Sequence, residues 1–164
     1  MKEFSHIQLF VDADSCPRQV RAILLKAIQK RRVPAIFVAD RSLKDVMEVE
    51  NQETQQPFLI KMVVVEKGDD SADDFLVENA LSGALAVTRD VILADRLVQK
   101  GLTVLDDRGG IFTENNVKER LSLRNAMTEF RDMQIFDQKN KPVNARDIQK
   151  FANALDRELT KLGR

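Results

Sequence analysis

Ile7-Gln8-Leu9-Phe10-Val11-Asp12-Ala13-Asp14-Ser15-Cys16-Pro17 reads as a strand, a loop and the opening of a helix. Apolar residues run to Val11, carboxylates follow at Asp12 and Asp14, and Pro17 suits a first helical turn, where its missing N–H would have no partner anyway. Beyond it Val20, Ile23, Leu24, Ala27 and Ile28 recur at helical spacing, which predicts an amphipathic helix to about Arg32. The same unit then repeats in pattern. Residues 33–39 and 59–65 predict the second and third strands, with a short helix over 42–49 and a polar stretch over 50–56 expected to be a mobile loop. A helix over 69–82 closed by Gly83, a strand over 84–88, a helix over 91–100 ended by Gly101 and a strand over 102–105 complete the alternation. Strands separated by helices pair in parallel.

The remainder predicts helices over 114–132 and 144–162, joined by a polar link containing Pro142. Asn144 and Asp147 have the spacing of a capping pair, and Ile148, Phe151, Leu155, Leu159 and Leu162 form an apolar stripe that should pack on the domain. At 164 residues, one domain with its own core is expected. Basic and acidic residues balance at 26 each, so a polyanionic partner would have to be met by local patches. Apolar runs are too short to span a bilayer and no signal-peptide pattern opens the chain, so a cytoplasmic protein is expected. The lone Cys16 allows no intramolecular disulfide, and the absence of Trp and Tyr leaves few platforms for stacking bases.

In an open parallel sheet the functional crevice lies beyond the carboxyl ends of the strands. Acidic residues collect there: Asp12 and Asp14 after strand one, Asp70 and Asp73 at the helix after strand three, Asp90 after strand four, and Asp106 and Asp107 after strand five. Hard cations such as Mg²⁺ take oxygen ligands, and carboxylates from separate strands leave room for water and a substrate phosphate. Each residue singly has a structural explanation as a loop residue or helix cap. Four distant segments ending in the same way favour a site.

Val11-Asp12-Ala13-Asp14-Ser15-Cys16-Pro17, followed by Asp70-Ser71-Ala72-Asp73, Thr88-Arg89-Asp90-Val91-Ile92-Leu93-Ala94, Arg108-Gly109 and Arg120-Leu121-Ser122-Leu123-Arg124, resembles the YaiI/YqxD family of uncharacterised bacterial proteins. The resemblance covers about residues 7–155. That family is similar to PIN-like nuclease domains, which implies a Rossmann-like three-layer α/β domain with a mainly parallel five-stranded sheet in the order 3-2-1-4-5. It further implies catalytic roles for Asp12, Asp73 and Asp90, with Mg²⁺ or Mn²⁺ held by these and by Asp14 and Asp70. Thr88, Arg89 and Arg108 are the candidates for contacting substrate, which would be RNA or single-stranded nucleic acid. The chain departs from the family pattern at Ser15, Arg89 and Asp106-Asp107.

Alternatives accompany this reading. Arg89 suits either an acidic neighbour or a phosphate, and Arg108 with Gly109 and Gly110 either a phosphate or a loop paired with Asp106. Cys16 before a helix could be a nucleophile, but a phosphatase-type loop would want Arg at position 22, which is Ala, so a buried core cysteine is expected. His6 stands apart from the carboxylates. Lys26, Lys30, Arg31 and Arg32, or Lys118, Arg120, Arg124 and Arg131, could track a nucleic-acid backbone, although interleaved glutamates make the second set a solvated face. A haloacid-dehalogenase-like phosphotransferase would use Asp12 as nucleophile, Asp14 as acid and base, and Gly68-Asp69-Asp70 as its late acidic motif, leaving the Thr88–Asp90 turn unexplained. A non-enzymatic RNA-binding module would keep the carboxylates for structure alone.

Overall fold

The computed structural model describes residues 3–68, 70–132 and 142–164, with side chains left out over 124–132. Strands β1 (Leu9–Asp12), β2 (Ala35–Ala39), β3 (Ile60–Val64), β4 (Leu85–Val87), β5 (Thr103–Leu105) and β6 (Ile111–Phe112) form one sheet in the order β3-β2-β1-β4-β5-β6. The first five are parallel, and β6 runs antiparallel to β5. β1 to β3 progress toward one edge while β4 and β5 progress toward the other. The order therefore reverses between β1 and β4, and a crevice opens where their following loops diverge.

Helices α1 (Arg18–Arg31), α2 (Lys44–Gln52), α3 (Ser71–Asn79), α4 (Val91–Gln99), α5 (Glu114–Asp132) and α6 (Ala145–Lys161) cover both faces. Side-chain alternation sorts the strands into two cores. Leu9, Val11, Ala35 and Phe37 pack with Val20, Leu24 and Ile28 of α1 and with Phe151, Leu155 and Leu159 of α6. Phe10, Ile36, Val38 and Ala86 turn the other way, onto Leu76 of α3, Leu93 and Leu97 of α4 and Val117 of α5. Asp12 has the parity of Phe10, and Thr88 that of Ala86, so both side chains belong to the α3–α4 side.

Several expectations need correcting. The sheet has a sixth strand, too short at two residues to leave a period in the sequence. The middle helix stops at Asn79 because Ala80 is already extended at ψ 144°, and Gly83, at φ 88°, sits beyond it before β4. Asp69, expected to open that helix, lies outside the described residues, as does most of the link before Pro142. Residues 50–56 are tied down in part: α2 runs on to Gln52, Glu50 accepts the Met62 N–H at 3.1 Å, and Glu53 pairs with Arg32 at 3.0 Å. Polar composition looked like mobility, but the acids have partners distant in sequence. The Asn144/Asp147 capping box is present and α6 packs on α1's side of the sheet. Among the described residues no helix is long and apolar enough to cross a membrane.

Candidate functional site

The crevice between β1 and β4 is built on one buried carboxylate. Asp12 closes β1 at 6% exposure, and its Oδ2 accepts hydrogen bonds from Thr88 Oγ1 at 2.7 Å and Ser15 Oγ at 3.0 Å. Burial raises its pKa above the ordinary aspartate value, the two hydroxyls oppose that rise, and the charges of Asp14 and Asp90 add to it. Ser15 lies in a 3-10 turn over Ala13–Ser15 and also accepts the Arg89 N–H at 3.1 Å, so it joins the loops after β1 and β4.

Thr88, expected to meet substrate, lies buried between the loops after β1 and β4. It is 1% exposed, and its hydroxyl donates to Asp12 while accepting the Asp90 N–H at 3.0 Å, so it positions two carboxylates from within. Thr88→Val keeps the shape but leaves a buried carboxylate oxygen and an amide short of a partner, a loss of about 2 kcal/mol. In urea the midpoint should fall with the slope unchanged. An unchanged midpoint would show that water replaces the hydroxyl without cost.

Asp90 is the N-cap of α4, and its Oδ1 accepts from the N–H groups of Ile92 at 2.9 Å and Leu93 at 3.3 Å. The structural role weighed for such residues is therefore real, and it leaves Asp90 Oδ2 without a hydrogen bond to a described residue. Asp73, in the first turn of α3, differs from both. Its carboxylate makes no hydrogen bond or ion pair with a described residue, and the nearby Arg96 charge only partly offsets its acidic neighbours. Burial, then the charges of Asp90, Asp12 and Asp70, raise its pKa to about 7. Asp12, Asp73 and Asp90 thus share one electrostatic environment, with Asp14 and Asp70 at its margin.

Asp14 and Asp70 are exposed, and Asp14 Oδ2 is engaged by the Asp40 N–H at 3.0 Å. Asp40 directly follows β2, at the same end of the sheet where Asp12 closes β1, and this acidic residue escaped the sequence reading although its position signalled it. The donor set is the hard-oxygen kind that Mg²⁺ takes. As the side chains stand, no three carboxylate, histidine or cysteine groups among the described residues converge closely enough to hold an ion, so water or side-chain movement would have to complete a coordination shell.

The arginines expected at substrate have partners in the chain. Arg89 donates from Nε at 3.2 Å and from Nη2 to Oδ2 of Asp107, which is 4% exposed. Arg108 directs its guanidinium to Asp147 of the α6 cap, while Asp106 pairs with Arg120 at 3.1 Å. Asp106 Oδ1 also accepts the N–H groups of Arg108 and Gly110, both at 2.8 Å, so this loop is a scaffold that seats α6. Arg31 and Arg32 bond to Asp156 and Glu53, and the side chains of Arg124 and Arg131 lie outside the described residues. Cys16 is buried in the α1 core and burial pushes its thiol far up, which removes it as a nucleophile. His6 Nε2 bonds the Phe58 carbonyl at 2.8 Å, away from the site.

These features define a doubly wound, mainly parallel α/β domain with acidic side chains gathered at its topological switch point. Within that class the chain belongs to the family described as "Uncharacterized BCR, YaiI/YqxD family", which it matches over residues 10–161. It is 44% identical over 156 residues to a UPF0178 protein of Myxococcus xanthus, covering 95% of this chain and 96% of that one. It is 41% identical over 155 residues to a UPF0178 protein of Treponema denticola, covering 94% and 93%, and 39% identical over 159 residues to one of Pseudomonas entomophila, covering 96% and 99%. No solved structure matches the chain.

Proposed function

We propose that this protein is a metal-dependent phosphodiesterase of PIN-like type that cleaves RNA or single-stranded nucleic acid. The carrying observation is Asp73, a half-buried carboxylate with no hydrogen bond or ion pair among the described residues, lifted to about 7 by burial and by Asp90, Asp12 and Asp70 against a smaller opposing pull from Arg96. Structural carboxylates are paired or hydrogen-bonded, whereas a repelling group left in a crevice suits a cation. When bound by Asp12, Asp73 and Asp90, Mg²⁺ or Mn²⁺ supplies Lewis acidity toward a phosphodiester oxygen and toward water. The chain provides the rest. Thr88 and Ser15 fix the Asp12 carboxylate, the α4 backbone fixes Asp90, and Asp73 can hold or release a proton near neutral pH. The phosphotransferase alternative is less well served, because Asp12 is nearly buried and one of its oxygens already takes two hydroxyls, a poor posture for in-line attack.

The test is metal addition and removal on the full chain. With millimolar Mn²⁺ a single-stranded RNA should be cleaved, and with EDTA it should stay intact. At a hundredfold excess over Kd the folded chain should also gain about 2.7 kcal/mol, read as a rise in Tm. RNA that survives Mn²⁺, with no calorimetric heat and no Tm shift, would end this reading. RNA bound equally well with and without chelator but never cut would leave the binding-module alternative.

A further inference from the structure

We propose that the cleft between the opening turns of α1 and α2 is a phosphate subsite that holds a nucleic-acid strand leading from the carboxylate crevice. The choice of a nucleic acid as ligand rests on the function proposed above; the cleft and its charge do not. The cleft encloses about 310 Å³ and is lined by Arg18, Arg21, Lys44, Asp45 and Glu48. Arg21 is held in place, donating at 2.9 Å both to Asp45 Oδ2 and to the Cys16 carbonyl. Arg18 and Lys44 are exposed and make no hydrogen bond or ion pair with any described residue.

Their placement works against the helices they begin. Arg18 is the first residue of α1 and Lys44 the first of α2, where the helix dipole disfavours a cation. Neither start has a side-chain cap, and α1 has no acidic residue in its first turn. Asp45, in the first turn of α2, is taken up by Arg21, so Glu48 is the one lining acid set against Arg18 and Lys44; an anion in the cleft pairs with those two cations and accepts from first-turn N–H groups. A guanidinium and an ammonium on opposite walls suit a phosphate oxygen on each side.

The surrounding charge gives the path a direction. On the β4–β5 side of the crevice Arg89, Arg96, Arg108 and Arg120 are bonded to Asp107, Asp74, Asp147 and Asp106. On the β2–β3 side Arg41 and Lys67 are exposed and have no such partners. Among the described residues that follow the strands, the exposed cations without an ion-pair partner, Arg41 and Lys67, thus lie on the side where the cleft lies.

The experiment is binding of a short 3′-labelled single-stranded RNA to the full chain, followed by anisotropy in EDTA so that nothing is cut. Salt is varied from about 50 to 200 mM, the range over which phosphate contacts declare themselves. The Arg18→Gln/Lys44→Gln variant should bind at least about tenfold more weakly at low salt, with its log–log salt slope reduced by about 1.4, or about 0.7 per phosphate contact. Arg146→Gln/Lys150→Gln, which removes two exposed cations of α6, should stay within about twofold of the unsubstituted chain. A loss seen only with 5′-phosphorylated RNA assigns a terminal phosphate, and a loss shared by 5′-hydroxyl RNA a backbone phosphate; either supports the subsite. RNA that fails to bind the unsubstituted chain, an unaffected Arg18→Gln/Lys44→Gln variant, or an equal loss in the two double variants overturns it. If the binding pattern holds and Mn²⁺ still yields no cleavage, the subsite stands and the phosphodiesterase reading falls.

Discussion

Asp73→Asn is expected to lower Mn²⁺-dependent cleavage by about a hundredfold or more, because a first-contact oxygen ligand is lost where even supporting residues matter tenfold to a hundredfold. The same substitution should stabilise the metal-free chain above pH 7. In the folded chain Asp73 titrates near 7, lifted by burial and by Asp90, Asp12 and Asp70, whereas unfolded it returns to the ordinary aspartate value. Between those two values the folded state holds a proton that the unfolded state has released, so stability falls as pH rises through the window. Below it both states are protonated and the contribution vanishes. Above pH 7 the wild type bears the full deficit, about 1–2 kcal/mol after allowing for solvent screening of a half-exposed group. Asn carries no charge, so its melts should lack this pH dependence. With Mn²⁺ the order should narrow or reverse, since only the wild type gains binding energy. Equal margins between the two proteins at pH 5 and pH 8, with and without metal, would show that Asp73 is scaffold. Asp90 is less suited to this comparison, because its carboxylate also caps α4 and the two effects would oppose each other.

Gly109→Ala should cost about 3 kcal/mol, or roughly 6–12 °C in Tm. Gly109 has φ +87°, and a Cβ there would lie 2.6 Å from the Lys150 carbonyl carbon and oxygen and 2.9 Å from the Phe151 N. Backbone cannot yield as a flexible side chain can, so α6 would have to shift and Phe151 would lose its seat in the α1 core. Gly83→Ala is the control. Its φ is +88° but a Cβ would meet nothing within 4 Å, leaving only the local backbone cost of about 1 kcal/mol. Similar unfolding midpoints for the two variants would mean that the β5–β6 loop does not anchor α6.

These two tests separate residues that sequence could not tell apart. Asp12, Asp73 and Asp90 all appeared as acids beyond strand ends, yet one is buried under two hydroxyls, one is unpartnered and one is a helix cap. Arg89 and Arg108 looked like phosphate ligands because a lone arginine in a loop shows its charge and not its partner. Asp107 and Asp147 supply those partners from positions 18 and 39 residues away. Arg18 and Lys44 drew no notice as a pair, because 26 positions separate them in the chain and only the α1–α2 cleft brings them together.

The sequence alone determined the alternation of strands and helices, the parallel sheet with its acidic loops, and the capped amphipathic α6. Each is written in local periodicity, a Pro or Gly at an element's end, or a capping pair, so the information lies within one or two turns of chain. Tertiary structure decided the sixth strand, the tethering of residues 50–56, the inward turn of Thr88 and the pairing of Arg89, Arg96, Arg108 and Arg120 on the β4–β5 side of the crevice. Those outcomes depend on which charges and hydroxyls meet across the fold. A carboxylate's role is set by its nearest donor, and at the edge of this sheet the nearest donor lies on another element.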